Sequence, residues 1–244
     1  MNTLKTLTRN FHSCGHECAK VVPKNLKGRG KSSQEWLTRQ LSDPFVEKAK
    51  MMNYRCRSAF KLVEINEKHG ILKPGFTVID CGASPGSWCQ VAAAETNSNK
   101  AQETKPVGLV IGIDLLQIYP IPGVHLLGNA DFMKDETQQN VKSILCERKV
   151  DCVLSDMAPN ATGIRNLDQE NITKLSYSVL RFAVLTSSVD ASLLVKLWNN
   201  GDVPQLEKDM LRFYKTVKMI KPVASRSESA EVFMLAKGFL GLKS

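Results

Sequence analysis

A doubly wound α/β sheet is the fold this sequence predicts, and three observations predict it. Seven short runs rich in valine, isoleucine and leucine recur from residue 76 onward. Most are apolar on both faces, as strands of a covered sheet are. Helix-sized intervals separate them, and a glycine-rich turn directly follows the first.

The runs are FTVID (76–80), LVIGID (109–114), VHLLG (124–128), VDCVLSD (150–156), SLLVKLW (192–198), TVKMI (216–220) and EVFMLA (231–236). Amphipathic helices fit the intervals at 86–95, 135–147, 168–186 and 204–214. Only ten residues, Pro222 and Ser227 among them, separate Ile220 from Glu231. That is too short for a crossover helix, so the last two runs form a hairpin and one strand is antiparallel. The polar stretch ETNSNKAQETKP (95–106) reads as a loop. Upstream, Gln34 to Gly70 has helical spacing broken at Asp43-Pro44, which predicts two helices. A lysine- and glycine-rich linker, PKNLKGRGKSS (23–33), precedes them. The expected organisation is a leader and linker over 1–33 and one domain over 34–244.

Lysine and arginine outnumber aspartate and glutamate 33 to 24, a net charge of +9. That excess suits a polyanionic partner without requiring one. The seven cysteines are odd in number and several fall inside apolar runs, where a thiol packs as a small hydrophobe, so a reducing compartment is expected. Cys14 and Cys18 lie near His12 and His16, but no second Cys/His pair follows at finger spacing, and no metal site is expected. No run reaches the roughly 18 apolar residues of a membrane span. Residues 1–20 carry Lys5, Arg9 and Lys20 against Glu17 alone, with Leu4, Leu7 and Phe11 between them, the bias of an organellar transit peptide.

The first strand runs from Asp80 into CGASPGSW (81–88), whose small residues let the backbone turn tightly against a ligand before a helix begins. The dinucleotide and P-loop fingerprints are both absent. Asp114 ends the second strand, where a carboxylate can accept from both hydroxyls of a ribose. Asp131 and Phe132 follow the third run, where an adenine could be bonded and packed. Asp156, in SDMAPN, ends the fourth. A reversal of strand order beside the first strand would bring these ends to one edge of the sheet. Helix capping is the alternative for any one of them.

Lysine is among the residues least often fully buried, yet Lys196 stands in LLVKLW. A stem in the sheet with its ammonium in solvent would account for it. At the end of the fifth strand it would instead lie within reach of Asp156. Glu231 in SAEVFML and Lys61 in SAFKLVEI also sit among apolar neighbours, though taken singly each reads as a surface charge.

These residues carry a resemblance. YRCRSAFKL (54–62), VIDCGASPGSW (78–88), GIDLL (112–116), LSDMAPNATG (154–163), LLVKLW (193–198) and SRSESAEVF (225–233) stand in the order of the FtsJ/RrmJ-type ribosomal RNA 2′-O-methyltransferases. Over residues 34–237 the chain most resembles their mitochondrial large-subunit rRNA members. The resemblance implies a Rossmann-like methyltransferase fold over 34–244, with S-adenosylmethionine as cofactor. Lys61, Asp156, Lys196 and Glu231 would form the catalytic tetrad, with Lys196 the general base. Gly82, Ala83, Ser84, Pro85, Gly86, Trp88, Asp114, Asp131, Phe132 and Asp156 would hold the cofactor. It further implies a monomer in the mitochondrial matrix, methylating a uridine ribose of rRNA in an assembling large subunit. DNA, lacking the 2′-hydroxyl, is not expected as substrate.

Two departures stand out: Gly86-Ser87 replaces a Gly-Gly pair, and SSVDAS (187–192) replaces a Pro-Gly-Gly turn, which leaves the start of the fifth strand open. Arg55, Arg57, Lys48, Lys50 and the basic stretch 24–31 are candidate phosphate contacts. A non-catalytic rRNA-binding assembly factor, a tRNA 2′-O-methyltransferase and a nicotinamide dehydrogenase are the competing readings, the last disfavoured by the missing fingerprint.

Overall fold

The computed structural model describes residues 30–160, 162–199 and 203–242. The expected leader, its Cys/His cluster and most of the linker lie outside them. The chain divides into two compact units, one up to Glu47 and one from Lys48 onward. The second holds the whole sheet.

Three helices, not two, precede the sheet: α1 (Lys31–Leu41), α2 (Pro44–Met51) and α3 (Ala59–His69). The break at Asp43-Pro44 is as expected. A second break follows α2, where Asn53 takes a left-handed backbone (φ 56°) that ends the helix. α3 stops at Gly70, which is left-handed as a helix-terminating glycine commonly is. α1 also begins at Lys31, inside the segment expected as linker.

All seven runs are strands: β1 (Thr77–Cys81), β2 (Leu109–Ile113), β3 (Val124–Leu127), β4 (Val150–Ser155), β5 (Ser187–Trp198), β6 (Tyr214–Ile220) and β7 (Glu231–Phe239). Between them run α4 (Ser87–Glu95), α5 (Asp135–Leu145), α6 (Arg165–Thr186) and α7 (Val203–Leu211). The strand order is β3-β2-β1-β4-β5-β7-β6, and only β7 runs antiparallel to its neighbours. The order reverses at β1, which pairs with both β2 and β4. Segment 95–106 carries no helix or strand beyond its first residue.

β5 begins at Ser187, five residues before its apolar run. Val150 pairs with Ser187 but Cys152 already pairs with Ser192, so three extra residues of β5 bulge out, with Asp190 at φ 67°. The bulge occupies the SSVDAS departure, and beyond it the ladder continues without a further register shift.

Each face of the sheet buries its own core. On one, Phe132, Phe182, Leu193, Tyr214 and Phe239 pack together, with Phe132 and Phe182 edge to face at 5.4 Å. On the other, Leu62 and Ile65 of α3 and Trp88 of α4 pack against Val78, Leu194 and Phe233. Cys81, Cys89 and Cys152 are buried thiols in this interior, and burial pushes all three well up, so they stay protonated.

Asp80 is fully buried in β1, where the Cys89 thiol donates to Oδ2 at 3.1 Å and Oδ1 accepts no hydrogen bond. Burial pushes its carboxyl up to about 7; the Cys89 bond opposes the rise, and the charges of Asp156 and Asp114 add to it. The native state therefore holds a proton that the unfolded chain, with its reference near 3.9, has released. Stability present below about pH 4 is lost as pH rises toward 7. In urea unfolding, Asp80→Asn should gain on the wild type steadily across that window; a pH-independent difference would contradict the assignment. Phe182→Ala, which opens a cavity against Phe132, should lower the unfolding free energy by about 3–5 kcal/mol in the same measurement.

Candidate active site

The register of the sheet assembles the site. Cys81 of β1 pairs with both Ile113 of β2 and Ser155 of β4. The next residue of each strand, Gly82, Asp114 and Asp156, therefore leaves the sheet at one level, at the carboxyl edge where the order reverses. These residues line a cleft of about 460 Å³ together with Ser84, Asp131 and Phe132.

The turn after β1 is held from both sides. Gly82 and Ala83 donate their N–H groups to the Ile113 carbonyl, and Ser84 donates its own to Asp114 Oδ2 at 2.9 Å. Asp114 Oδ1 accepts from the Leu116 N–H at 2.8 Å, and Asp131 Oδ1 from the Met133 N–H at 2.9 Å. Both carboxylates thus pin their loops while facing the cleft. Gly82 has φ +83°, and a Cβ there would come within 2.6 Å of Met157 Cγ. Gly86 has φ +111°, and a Cβ there would strike Ile121 and the Arg55 guanidinium. Glycine is required at both places.

Two lysine–carboxylate pairs stand on the α3 side of the sheet, and of their four residues Asp156 alone lines the cleft. Lys196, only 9% exposed, places Nζ 3.0 Å from Asp156 Oδ1 and donates a hydrogen bond to the Asp156 main-chain carbonyl. Asp156 Oδ1 itself is buried without a hydrogen bond, while Oδ2 accepts from the Ser58 hydroxyl at 2.8 Å. Lys61 reaches Glu231 Oε1 at 2.7 Å and Oε2 at 2.8 Å, and the Ser225 hydroxyl also donates to Oε1 at 2.8 Å.

The strands explain why the pairs are neighbours. Lys196 is the cross-strand partner of Phe233, and Glu231 lies two residues from Phe233 on the same strand. The three side chains therefore share one face. α3 covers that face and brings Lys61 to it, its ammonium 5.6 Å from the Phe233 ring. Ser155 pairs with Val195, which sets Asp156 next to Lys196 across β4 and β5.

All four expected tetrad residues are thus brought to one end of the sheet. Of the residues expected to hold a cofactor, Gly82, Ser84, Asp114, Asp131, Phe132 and Asp156 line the cleft; Ala83, Pro85, Gly86 and Trp88 are not among its lining residues. Trp88 is buried against Phe233, its indole N–H donating to the Ser58 carbonyl at 2.9 Å.

Sequence reasoning missed Ser58 and Ser225, and also Asn171, Lys174 and Leu175 of α6, which wall the cleft. Ser58 stands one helical turn before Lys61, a signal that was there to be used. The α6 residues look like any solvated helix face.

The two arginines expected to meet phosphate are engaged within the fold. Arg55 donates to the carbonyls of Pro85, Tyr119 and Pro120 at 2.7–2.8 Å, tying the β1 turn to the loop after β2. Arg57 donates to the Ala224 carbonyl at 2.6 Å, and Glu64 accepts from the Ala224 N–H at 3.2 Å, so that α3 and its approach hold the β6–β7 loop. Lys48 and Lys50 of α2 remain exposed.

The family model described as FtsJ-like methyltransferase matches residues 54–239. The rRNA methyltransferase 2, mitochondrial, of Drosophila melanogaster is 61% identical over 93% of this chain and 91% of its own length. The ribosomal RNA large subunit methyltransferase E of Parvibaculum lavamentivorans is 40% identical over 93% of this chain and 89% of its own. A crystal structure of a ribosomal RNA methyltransferase from Plasmodium falciparum superposes with a TM-score of 0.67 at 29% identity, covering 78% of this chain and all of that one. With the fold, the cleft at the reversal of strand order and these matches in agreement, the chain belongs to the FtsJ-like methyltransferase family.

Proposed function

We propose that this enzyme methylates a ribose 2′-oxygen of large-subunit ribosomal RNA in mitochondria, using S-adenosylmethionine. The observation that carries the reading is the pairing of Lys196 with Asp156 and of Lys61 with Glu231 at one end of the sheet, with Asp156 also lining the cleft. The rRNA substrate and the mitochondrial setting rest on the names of the relatives.

The cleft fits the cofactor's chemistry. A sulfonium and an ammonium make the methionine half cationic, and Asp114, Asp131 and Asp156 supply facing carboxylates. Asp156 Oδ1 is buried with Lys196 Nζ 3.0 Å away, so the carboxylate's charge is shared between that lysine and the cleft. Asp114 keeps lone pairs for a ribose diol. Phe132, Met133, Leu115 and Leu116 offer apolar surface to an adenine. When bound, S-adenosylmethionine supplies a methyl group activated by the sulfonium charge.

The chain's own residues have two tasks, alignment and removal of one proton. Lys196 Nζ would accept the 2′-hydroxyl proton. Asp156 holds Lys196 through both its main-chain carbonyl and its carboxylate, which fixes the direction of the amine. Lys61, locked by Glu231, presents a fixed ammonium that can orient the ribose. Exposed lysines of α2 meet the RNA backbone, while Arg55 keeps the cofactor turn in place.

Lys196→Ala should lower the rate of 2′-O-methylation of an rRNA fragment by about 10² to 10⁴-fold with cofactor affinity retained. A folded, cofactor-binding variant working at the wild-type rate would sink the assignment. Lys50→Ala should weaken RNA binding and reduce the slope of log affinity against log salt by about one, because it removes one phosphate contact. Arg55→Ala should leave that slope at the wild-type value and weaken S-adenosylmethionine binding in calorimetry; the reverse pattern would return Arg55 to the RNA surface.

A further inference from the structure

Ser58 is the N-cap residue of α3, yet its hydroxyl makes no bond to the helix it caps. Serine is favoured at that position because its oxygen accepts from a free N–H of the first turn. Here the hydroxyl instead donates to Asp156 Oδ2 at 2.8 Å, across 98 positions of sequence. Helix capping therefore does not account for this side chain. Its carbonyl is equally engaged, accepting from the Lys61 N–H at 3.1 Å and from the Trp88 indole at 2.9 Å. One residue thus touches Asp156, the turn that bears Lys61, and the helix that follows the cofactor turn.

We propose that Ser58 is a positioning residue of the methyl-transfer reaction, its hydroxyl occupying one oxygen of Asp156 so that only the other faces Lys196. This inference rests on the reading of Lys196 as the base. A carboxylate turns easily about its last torsion. Without the hydroxyl, Asp156 is free to rotate and to face Lys196 with more negative charge, which holds the ammonium form more firmly.

The groups around Asp156 leave this role to Ser58. Lys196 approaches from β5 on the Oδ1 side. Asp80 of β1 is bonded to the Cys89 thiol, and Asp114, just after β2, to the Ser84 and Leu116 N–H groups. Lys61 of α3 is taken by Glu231. The Ser58 hydroxyl is the hydrogen-bond donor given to Oδ2 among the described residues. Ser225 also donates to Glu231, but to Oε1, which Lys61 meets as well, so only Ser58 holds the carboxylate oxygen that its lysine leaves.

The test is the pH dependence of single-turnover methylation with wild type, Ser58→Ala and Ser58→Thr, alongside thermal melting and calorimetry with S-adenosylmethionine. Ser58→Ala should lose about tenfold in rate at neutral pH, the scale of a hydrogen bond to a charged group. Its rise in rate with pH should move up by about one unit, with cofactor affinity changing less than the rate. Ser58→Thr, which keeps the hydroxyl, should restore both the rate and the profile. A folded Ser58→Ala enzyme with the wild-type pH profile overturns the proposal. So does a folded Ser58→Thr enzyme that behaves like the alanine variant. If Ser58→Ala does not fold, Ser58→Thr and Ser58→Cys decide, since a thiol donates only weakly and should give an intermediate shift. Wild-type protein that methylates no 2′-oxygen overturns the underlying reading and this inference together, and shows before any variant is made.

Discussion

An ammonium group on a strand that is buried along its last apolar run has to be met by a carboxylate, and much of the site's construction follows from that requirement. Lys196 cannot be left alone in the β5 face, because an unpaired buried charge costs several kcal/mol. Asp156 supplies the partner, and the register of β4 with β5 dictates that it must stand where β4 ends. Asp156 in turn is an acceptor with two oxygens in a partly dry environment, and the start of α3 brings Ser58 to one of them. Once α3 is docked there, Lys61 meets the same difficulty one turn further on. Glu231 of β7 resolves it. Two ion pairs, two serines and the docking of one helix are linked consequences of lysines placed in an apolar face.

The same edge of the sheet gathers negative charge. Asp80, Asp114, Asp131 and Asp156 all come from the ends of β1 to β4 or the loops after them, and the charges of Asp156 and Asp114 bear on Asp80. Asp80 resolves its share by burial, which favours the protonated form and leaves its thiol neighbour neutral. Asp114 and Asp131 are held as acceptors of backbone N–H groups. The cleft these carboxylates leave is therefore suited to a cation, and the lysine that faces its wall from α6, Lys174, stands on the side away from β1 to β4 in sequence but lines the same space.

Much of this was legible in the sequence because strands declare their ends. Asp114 and Asp156 stand directly after β2 and β4, where the apolar runs stop, while Asp80 and Lys196 lie inside β1 and β5, one and two residues short of their ends. The antiparallel β7 followed from the short Ile220–Glu231 connection, and it is this reversal that sets Glu231 beside Lys196. Less legible was anything carried by the backbone. The second break before α3 depends on Asn53 in a left-handed conformation, a state that asparagine tolerates without announcing it. The β5 bulge was visible only as a departure whose geometry no periodicity specifies. Trp88 stands next to the glycine-rich turn in sequence, yet the first turn of α4 rotates it into the core against Phe233. Arg55 and Arg57 looked like phosphate ligands because arginine is common in that role, but a guanidinium with five donors serves equally to gather carbonyls.

That division between arginine and lysine bears on how the surface and the site can work independently. Arg55 and Arg57 each hold carbonyl groups of loops that frame the site: the turn at Pro85, the segment at Tyr119 and Pro120, and the β6–β7 loop at Ala224. A planar, permanently charged fork suits such fixed bonds. Lys48 and Lys50 are flexible point charges on the outside of α2, suited to a polyanion whose phosphates vary in position. If the arginines met phosphate instead, every contact with a polyanion would pull on the loops that frame the cleft. With the arginines bonded to loop carbonyls, a polyanion meeting the α2 lysines would leave the distances among Asp156, Lys196 and Ser58 to the fold.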